Sequence, residues 1–118
     1  MQYAHARIAA IERGAGDRAD GAVPDPALAP EPSEATLVRA LAEFPRVAAE
    51  AAELRAPHRI AAYASELAAG FHAFYRDCRV LDDDDLPRTR SRLALCAATR
   101  GVLASSLGLL GLDAPEEM

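Results

Sequence analysis

The segment from Ile60 to Cys78 reads I-A-A-Y-A-S-E-L-A-A-G-F-H-A-F-Y-R-D-C and has an unusually regular apolar spacing. Its apolar residues advance by three or four positions at a time, which is the period of one face of an α-helix. This face consists of Ile60, Tyr63 or Ala64, Leu67, Phe71, Phe74 and Cys78. Because Pro57 suits a first helical position, we predict a long helix from there, with a buried stripe of about five turns.

Two shorter stripes precede this helix. We expect Ser33 to be an N-cap and Glu34 to add favourable charge in the first turn of the helix that follows. The apolar face of that helix consists of Leu37, Leu41 and Phe44. Pro45 then breaks the axis, and a second helix is predicted to continue to Arg55. Its apolar positions are Val47, Ala51 and Leu54.

Both ends of the chain are also predicted to be helical. The first helix is expected from Gln2 to about Arg13, with an apolar face of Tyr3, Ala6 and Ala10 or Ile11. The last helix is expected to begin at Pro87 and to end at Gly111 and Pro115. Its stripe consists of Leu93, Cys96 or Ala97, Arg100, Leu103, Leu107 and Leu110.

Residues 14–32 are rich in Gly, Pro, Ala and Asp, and their four prolines exclude regular structure. This composition predicts a flexible loop. No segment alternates with a period of two residues for long enough to form a strand. The sequence therefore predicts an all-α bundle of about five helices, in one domain that spans residues 1–118.

Composition and charge limit the classes of function. The chain has 118 residues and a net charge of -5, so a nucleic-acid-binding role requires arginines gathered on one face. Cys78 and Cys96 lie in apolar helical surroundings and are expected to be buried, reduced thiols. We find neither an apolar run of the ~20 residues that cross a bilayer nor a signal peptide, and we expect a cytoplasmic protein.

No set of residues indicates catalysis, a metal site or a cofactor. The three histidines, His5, His58 and His72, are not spaced as ligands on a helix, and the serines lie in helical patterns without a nucleophile turn. His5 and Arg7 are expected to be buried or partly buried polar groups that bond to neighbouring helices. The four aspartates of residues 82–85 are expected to form a solvated turn rather than a cation site.

Arginines gather on both sides of that turn. Arg76 and Arg79 end the long helix, whereas Arg88, Arg90 and Arg92 lie in the first turns of the next, where cations are electrostatically unfavourable. Two interpretations are equally good on sequence grounds. Either the arginines face an anionic partner, or the aspartates between them neutralise them.

An ordered set of segments supports the first interpretation. It consists of Q-Y-A-H-A-R-I (Gln2–Ile8), F-H-A-F-Y-R-D-C-R-V-L (Phe71–Leu81), R-L-A-L-C-A-A-T-R-G-V-L-A-S-S-L-G-L-L-G-L (Arg92–Leu112) and A-P-E-E-M (Ala114–Met118). The set resembles the C-terminal, DALR-type anticodon-binding domain of arginyl-tRNA synthetases. The resemblance implies recognition of the anticodon loop of an arginine tRNA and no catalysis by this chain itself.

The resemblance also implies site residues and partners. It assigns RNA contacts to Tyr75 and Met118, and we expect Arg76 and Arg79 to lie beside them. Aminoacylation would need a synthetase catalytic body in cis or in trans. The first helix begins at Met1 without a cap, where the family has the inside of a longer helix. The chain is therefore either a domain of a larger protein or a free-standing gene product.

One departure from the family supports an alternative function. The family often ends in A-P-E-R-M, whereas Glu117 precedes Met118 here and places an anion beside the expected RNA site. The alternative is a free-standing descendant of the domain that has lost tRNA binding and serves protein–protein association. An isolated copy would expose apolar surface, which favours burial in a homodimer or against another partner.

Overall fold

The computed structural model describes all 118 residues as a bundle of five α-helices without a strand. The helices are α1 (Gln2–Ala15), α2 (Pro32–Ala42), α3 (Phe44–Glu53), α4 (Pro57–Asp77) and α5 (Leu86–Leu109), with a short 3-10 helix at Gly16–Ala19. The architecture confirms the predicted all-α bundle of about five helices. It also confirms the break between α2 and α3, which lies at Glu43, two residues before Pro45.

Helix α4 lies at the centre of the bundle, where it packs against α2, α3 and α5, and α1 packs mainly on α5. Every position of the predicted α4 stripe is buried, and Leu67, Phe71 and Phe74 are fully enclosed. The stripe of α5 is buried at Leu93, Cys96, Leu103 and Leu107. Burial of these large apolar side chains supplies most of the driving force that holds the helices together.

Four predicted helix boundaries were wrong by one or two residues; one is the end of α3, which lies at Glu53 and not at Arg55. Ser33 is not the N-cap of α2; Glu31 is, and it forms a capping box in which the Glu34 side chain accepts a hydrogen bond from the Glu31 backbone N–H at 3.0 Å. Pro32 therefore takes the first helical position, where its missing N–H costs nothing. Similarly, α5 begins at Leu86, before Pro87, because the Asp85 side chain caps the Arg88 backbone N–H. Helix α1 extends two residues past Arg13.

Two apolar stripes were misassigned in part. Tyr3 is 59% exposed, and Ala10 is exposed as well. The buried face of α1 consists of Ala4, His5, Ala6, Ile8, Ala9, Ile11 and Ala15. Because α1 has alanines on several sides, its sequence fits more than one buried face. In the structure, the face that carries Ile8 is the one buried against α5. Leu54 is 56% exposed because α3 ends one residue before it.

The segment predicted as a flexible loop, residues 14–32, has more local structure than its composition suggested. Gly14 and Ala15 belong to α1 and Pro32 to α2, so the connection itself is residues 16–31. Its backbone is tied to α5: the Asp25 N–H donates to Ser91 Oγ at 3.1 Å, and Arg88 donates to the Ala29 carbonyl at 3.1 Å. The flexibility of this segment stays a prediction.

A buried ion pair fastens three helices at one end of the bundle. Arg92 of α5 donates to Glu34 Oε1 of α2 at 2.9 Å and, through its other terminal nitrogen, to the Arg79 carbonyl after α4 at 2.7 Å. Both residues are more than nine-tenths buried. Burial raises the pKa of Glu34, but the hydrogen bonds from Arg92 and from the Glu31 backbone outweigh burial and leave the pKa below its ordinary value.

This ion pair predicts an acid-sensitive stability. Because the folded-state pKa of Glu34 is lowered, its stabilisation is complete above the ordinary glutamate pKa of about 4.3 and is lost as pH falls through the folded value. Glu34→Gln leaves Arg92 without its buried counter-charge and should cost about 3–5 kcal/mol of unfolding free energy at pH 7. Urea unfolding at a series of pH values measures both effects. The exposed Glu53→Gln is the matched control; equal stability of Glu34→Gln and wild type at pH 7 would contradict the assignment.

Candidate nucleic-acid interface

Aromatic rings and a guanidinium meet where α1 crosses the C-terminal half of α4. The Arg7 guanidinium carbon lies 4.6 Å from the centre of the Tyr75 ring. The Tyr3 ring lies 5.9 Å from the ring of His72. Tyr3 and Arg7 are four residues apart on α1, and His72 and Tyr75 are three apart on α4, so each pair occupies one helix face. The two faces form a continuous aromatic and cationic surface.

The structure places the predicted RNA-binding residues in two neighbouring depressions. Tyr75, Arg76 and Arg79 line the first, at the end of α4. Met118, which is 78% exposed, lines the second together with Tyr3 and Arg7. Since Arg7 also contacts the Tyr75 ring, it joins the two depressions.

The second depression depends on how the end of the chain is held against α1. His5 Nδ1 donates to the Pro115 carbonyl at 2.7 Å, and the Gln2 side chain donates to the Asp113 carbonyl at 3.0 Å. Arg13 makes longer contacts, at 3.4 Å, to the Glu116 carbonyl. His5 is buried and hydrogen-bonded as predicted, but its partner lies in the chain end after α5 and not in a neighbouring helix. Arg7 is partly buried as predicted, but its partner is the Tyr75 ring rather than a hydrogen-bond acceptor.

The arginines of this surface differ in how far their charge is already compensated. Arg76 forms a hydrogen-bonded ion pair with Asp77 at 3.0 Å. The hydrogen bond from Arg76, together with one from the Ser33 hydroxyl, lowers the pKa of Asp77. Arg7, Arg13 and Arg79 form no salt bridge. Arg79 donates only to the Leu81 carbonyl, at 3.3 Å. These three guanidinium groups are therefore the ones available to an anionic ligand.

The arginines at the start of α5 have internal roles instead. Arg88 pairs with Asp85 at 3.5 Å, and Arg90 donates to the Asp20 carbonyl at 3.0 Å. Arg92 is the buried partner of Glu34. The interpretation that the aspartates of residues 82–85 neutralise these arginines holds only for Arg88. Arg90 and Arg92 have other partners within the chain. Asp83 pairs with Arg18, at 2.9 Å.

His72 lies inside the surface as a neutral ring. Its Nδ1 is buried without a hydrogen-bond partner. Burial lowers the pKa of His72, and the nearby Arg7 charge lowers it further. Both effects favour the neutral ring, so His72 adds aromatic surface beside Tyr3 rather than a second cation.

The sequence did not assign Tyr3, Arg7, Arg13 or His72 to this surface. Tyr3 was assigned to the core and Arg7 to a hydrogen bond. Their spacing of four residues within Q-Y-A-H-A-R-I was a usable signal, because it places a ring and a cation on one helix face. The contact of that face with Tyr75 could not be read from the sequence.

Other chemistry finds little support in the structure. No group of three or more His, Cys, Asp or Glu side chains is arranged to hold a metal ion. Both cysteines are buried and unpaired with each other, as expected, and burial raises the pKa of Cys96 to about 12. None of the helices combines the length and apolar character of a membrane-spanning segment.

Comparisons of the sequence with known proteins all point to one family. A family model described as the DALR anticodon binding domain matches residues 1–118. The chain is similar to an arginine–tRNA ligase of Frankia alni, with 52% identity over 124 residues that cover all of this chain and 22% of the ligase.

Solved structures give the same result. The chain is similar to the arginyl-tRNA synthetase of Thermus thermophilus, with a TM-score of 0.84 and 39% identity over 99% of this chain and 20% of that one. It is also similar to a putative arginyl-tRNA synthetase from Campylobacter jejuni, with a TM-score of 0.87 and 26% identity over 99% of this chain and 25% of that one. The chain therefore spans about a fifth to a quarter of the length of these relatives.

Proposed function

Because the chain belongs to the DALR anticodon-binding domain family, we propose that it recognises the anticodon loop of an arginine tRNA. It acts as a recognition module without chemistry of its own. Charging of the tRNA requires the catalytic body of an arginyl-tRNA synthetase, in cis or in trans. The proposal rests mainly on the surface that Tyr3, Arg7, Tyr75 and Met118 form together. The match of the family model to the full length of the chain supports it.

Stacking is the first physical reason. Anticodon loops present unstacked bases, which proteins bind by stacking on aromatic rings or guanidinium planes and by hydrogen bonds to base edges. Tyr3 is largely exposed, and Tyr75 is half-buried against Phe71, with ring centres 6.1 Å apart. Arg7 extends the aromatic surface between them. The Met118 side chain adds a soft, polarizable wall.

Charge is the second reason. A net charge of -5 repels RNA at long range, so binding depends on a local excess of cations. Arg7, Arg13 and Arg79 are the cations of this surface that could meet a phosphate, since no acidic side chain pairs with them. Glu116 and Glu117 line the same depression as Met118 and oppose the binding of RNA there.

The alternative of a protein-association role has only the departure from the family at Glu117 in its favour. The matched relatives are described as arginine–tRNA ligases and arginyl-tRNA synthetases.

Tyr75→Ala should weaken binding of an arginine-tRNA anticodon stem-loop by about 1–3 kcal/mol, because it removes the ring that supports the Arg7 guanidinium and thereby the stacking surface that the two side chains form together. Tyr75→Phe, which keeps the ring, should bind nearly as wild type does. Fluorescence anisotropy with a labelled stem-loop measures the affinity, and a thermal melt of each variant confirms that it is folded. Equal binding by Tyr75→Ala and Tyr75→Phe would remove Tyr75 from the site.

Arg79→Ala should weaken binding of the same stem-loop and flatten its dependence on salt, since each phosphate contact on a single strand contributes about -0.7 to the slope. Arg76→Ala should change the slope less, because Asp77 already compensates its charge. The control is Arg55→Gly. Arg55 lies about 30 Å away at the other end of α4, and its φ of 51° suits glycine. An equal loss of affinity in Arg79→Ala and Arg55→Gly would show that only the net charge of the chain matters, and not a contact at Arg79.

Glu117→Arg should strengthen binding, because it replaces a repelling carboxylate beside Met118 with a cation that can meet a phosphate. Glu53→Arg makes the same change of charge at an exposed position on α3 and should have little effect. The affinities are compared at two salt concentrations, and the gain should shrink at the higher one. A Glu117→Arg variant that binds no better than Glu53→Arg would place the RNA elsewhere.

A further inference from the structure

An apolar cavity of about 350 Å³ lies on a different part of the bundle from the RNA surface, between the connection of residues 16–31 and helices α2 and α5. It shares no lining residue with the two depressions described above. Val38 and Leu41 of α2 and Leu95 of α5 form its apolar floor. Its volume falls within the ~300–1,000 Å³ that is usual for small-molecule sites in proteins.

The covering segment is built so that it does not fill this space. Pro24, Pro26 and Pro30 line the cavity, and proline rings restrict the backbone, so the segment spans the space instead of collapsing into it. Opposite them, α5 presents the small side chains of Ala94 and Ala98. No residue of the segment is buried, although hydrogen bonds to Ser91 and from Arg88 hold it in place.

Three charged side chains line the cavity, and two of them are already compensated. Glu34 is paired with Arg92 at 2.9 Å, and Arg88 is paired with Asp85 at 3.5 Å. Asp25 forms no salt bridge; its carboxylate accepts one hydrogen bond, from the Ala27 backbone at 2.9 Å. The cavity therefore combines apolar walls with one uncompensated negative charge.

We propose that this cavity binds a small organic cation, with an apolar body between Val38, Leu41 and Leu95 and an ammonium group at the Asp25 carboxylate. An ammonium group is a donor of three hydrogen bonds, which suits a carboxylate that has unused acceptor sites. Ser91, whose Oγ accepts from the Asp25 backbone N–H, also lines the cavity. A neutral or anionic molecule of the same shape gains the apolar contacts but not the ion pair.

Titration of the isotopically labelled chain with 2-phenylethylamine, followed by NMR, tests the proposal. 2-Phenylethanol and 3-phenylpropionate serve as neutral and anionic probes of similar shape. The amine should shift residues 24–30 and the facing parts of α2 and α5, with an affinity about fivefold higher than that of the alcohol. Asp25→Asn should reduce amine affinity to that of the alcohol, whereas the exposed Asp17→Asn should not. Equal affinity for the three probes, or no change in Asp25→Asn, overturns the proposed cation site.

A second pair of variants tests the cavity itself. Ala98→Phe places a ring in the space and should abolish binding of 2-phenylethylamine. The neighbouring Ala97→Phe, which is exposed on the same helix but does not line the cavity, should bind normally. A thermal melt confirms that both variants are folded. Binding that survives Ala98→Phe, or shifts that fall outside the cavity, contradict the assignment.

Discussion

The buried ion pair between Arg92 and Glu34 is the constraint on which the recognition end of the bundle depends. Glu34 Oε1 accepts from Arg92 and from the backbone of Glu31, so the same oxygen joins α5 to the start of α2. The other terminal nitrogen of Arg92 holds the Arg79 carbonyl, directly after α4. Removing two charges from water is costly, and their mutual attraction repays the cost only with good geometry and further hydrogen bonds. Here those extra bonds also fix the path of the chain at Arg79.

This arrangement explains why arginines close together in sequence have different roles. Arg92 points into the bundle and fixes the backbone of Arg79, whose own side chain is left exposed at the candidate RNA surface. Arg76 is compensated by its neighbour Asp77, whereas Arg7 lies against an aromatic ring. A chain with a net charge of -5 can thus keep several unpaired guanidinium groups on one side, because many of its acidic residues pair with arginines elsewhere, although Glu116 and Glu117 remain on that side.

The parts that could be predicted from the sequence are those set by local periodicity. The stripe of α4 was correct at every position, since large apolar residues at regular spacing allow one buried face only. In α1, alanines allowed several faces, and the packing partner decided between them, so Tyr3 was misplaced. The Glu31 capping box was missed because glutamate is not a preferred N-cap, and Ser33 offered the more usual residue. The site was predicted in part: Tyr75, Arg76 and Arg79 share a depression, but the contact of Arg7 with Tyr75 depends on a helix crossing that no local pattern encodes.

We propose that one surface, built by α1, the end of α4 and the end of the chain, receives the anticodon loop. The most direct test is an NMR titration of the labelled chain with an arginine-tRNA anticodon stem-loop, compared with a stem-loop of altered loop sequence. We expect the arginine loop to produce its largest shifts at Tyr3, Arg7, Tyr75, Arg79 and Met118, and the altered loop to produce much weaker ones. Equal shifts with both loops, or shifts centred on α3 or on residues 16–31, would contradict binding of the anticodon loop at this surface.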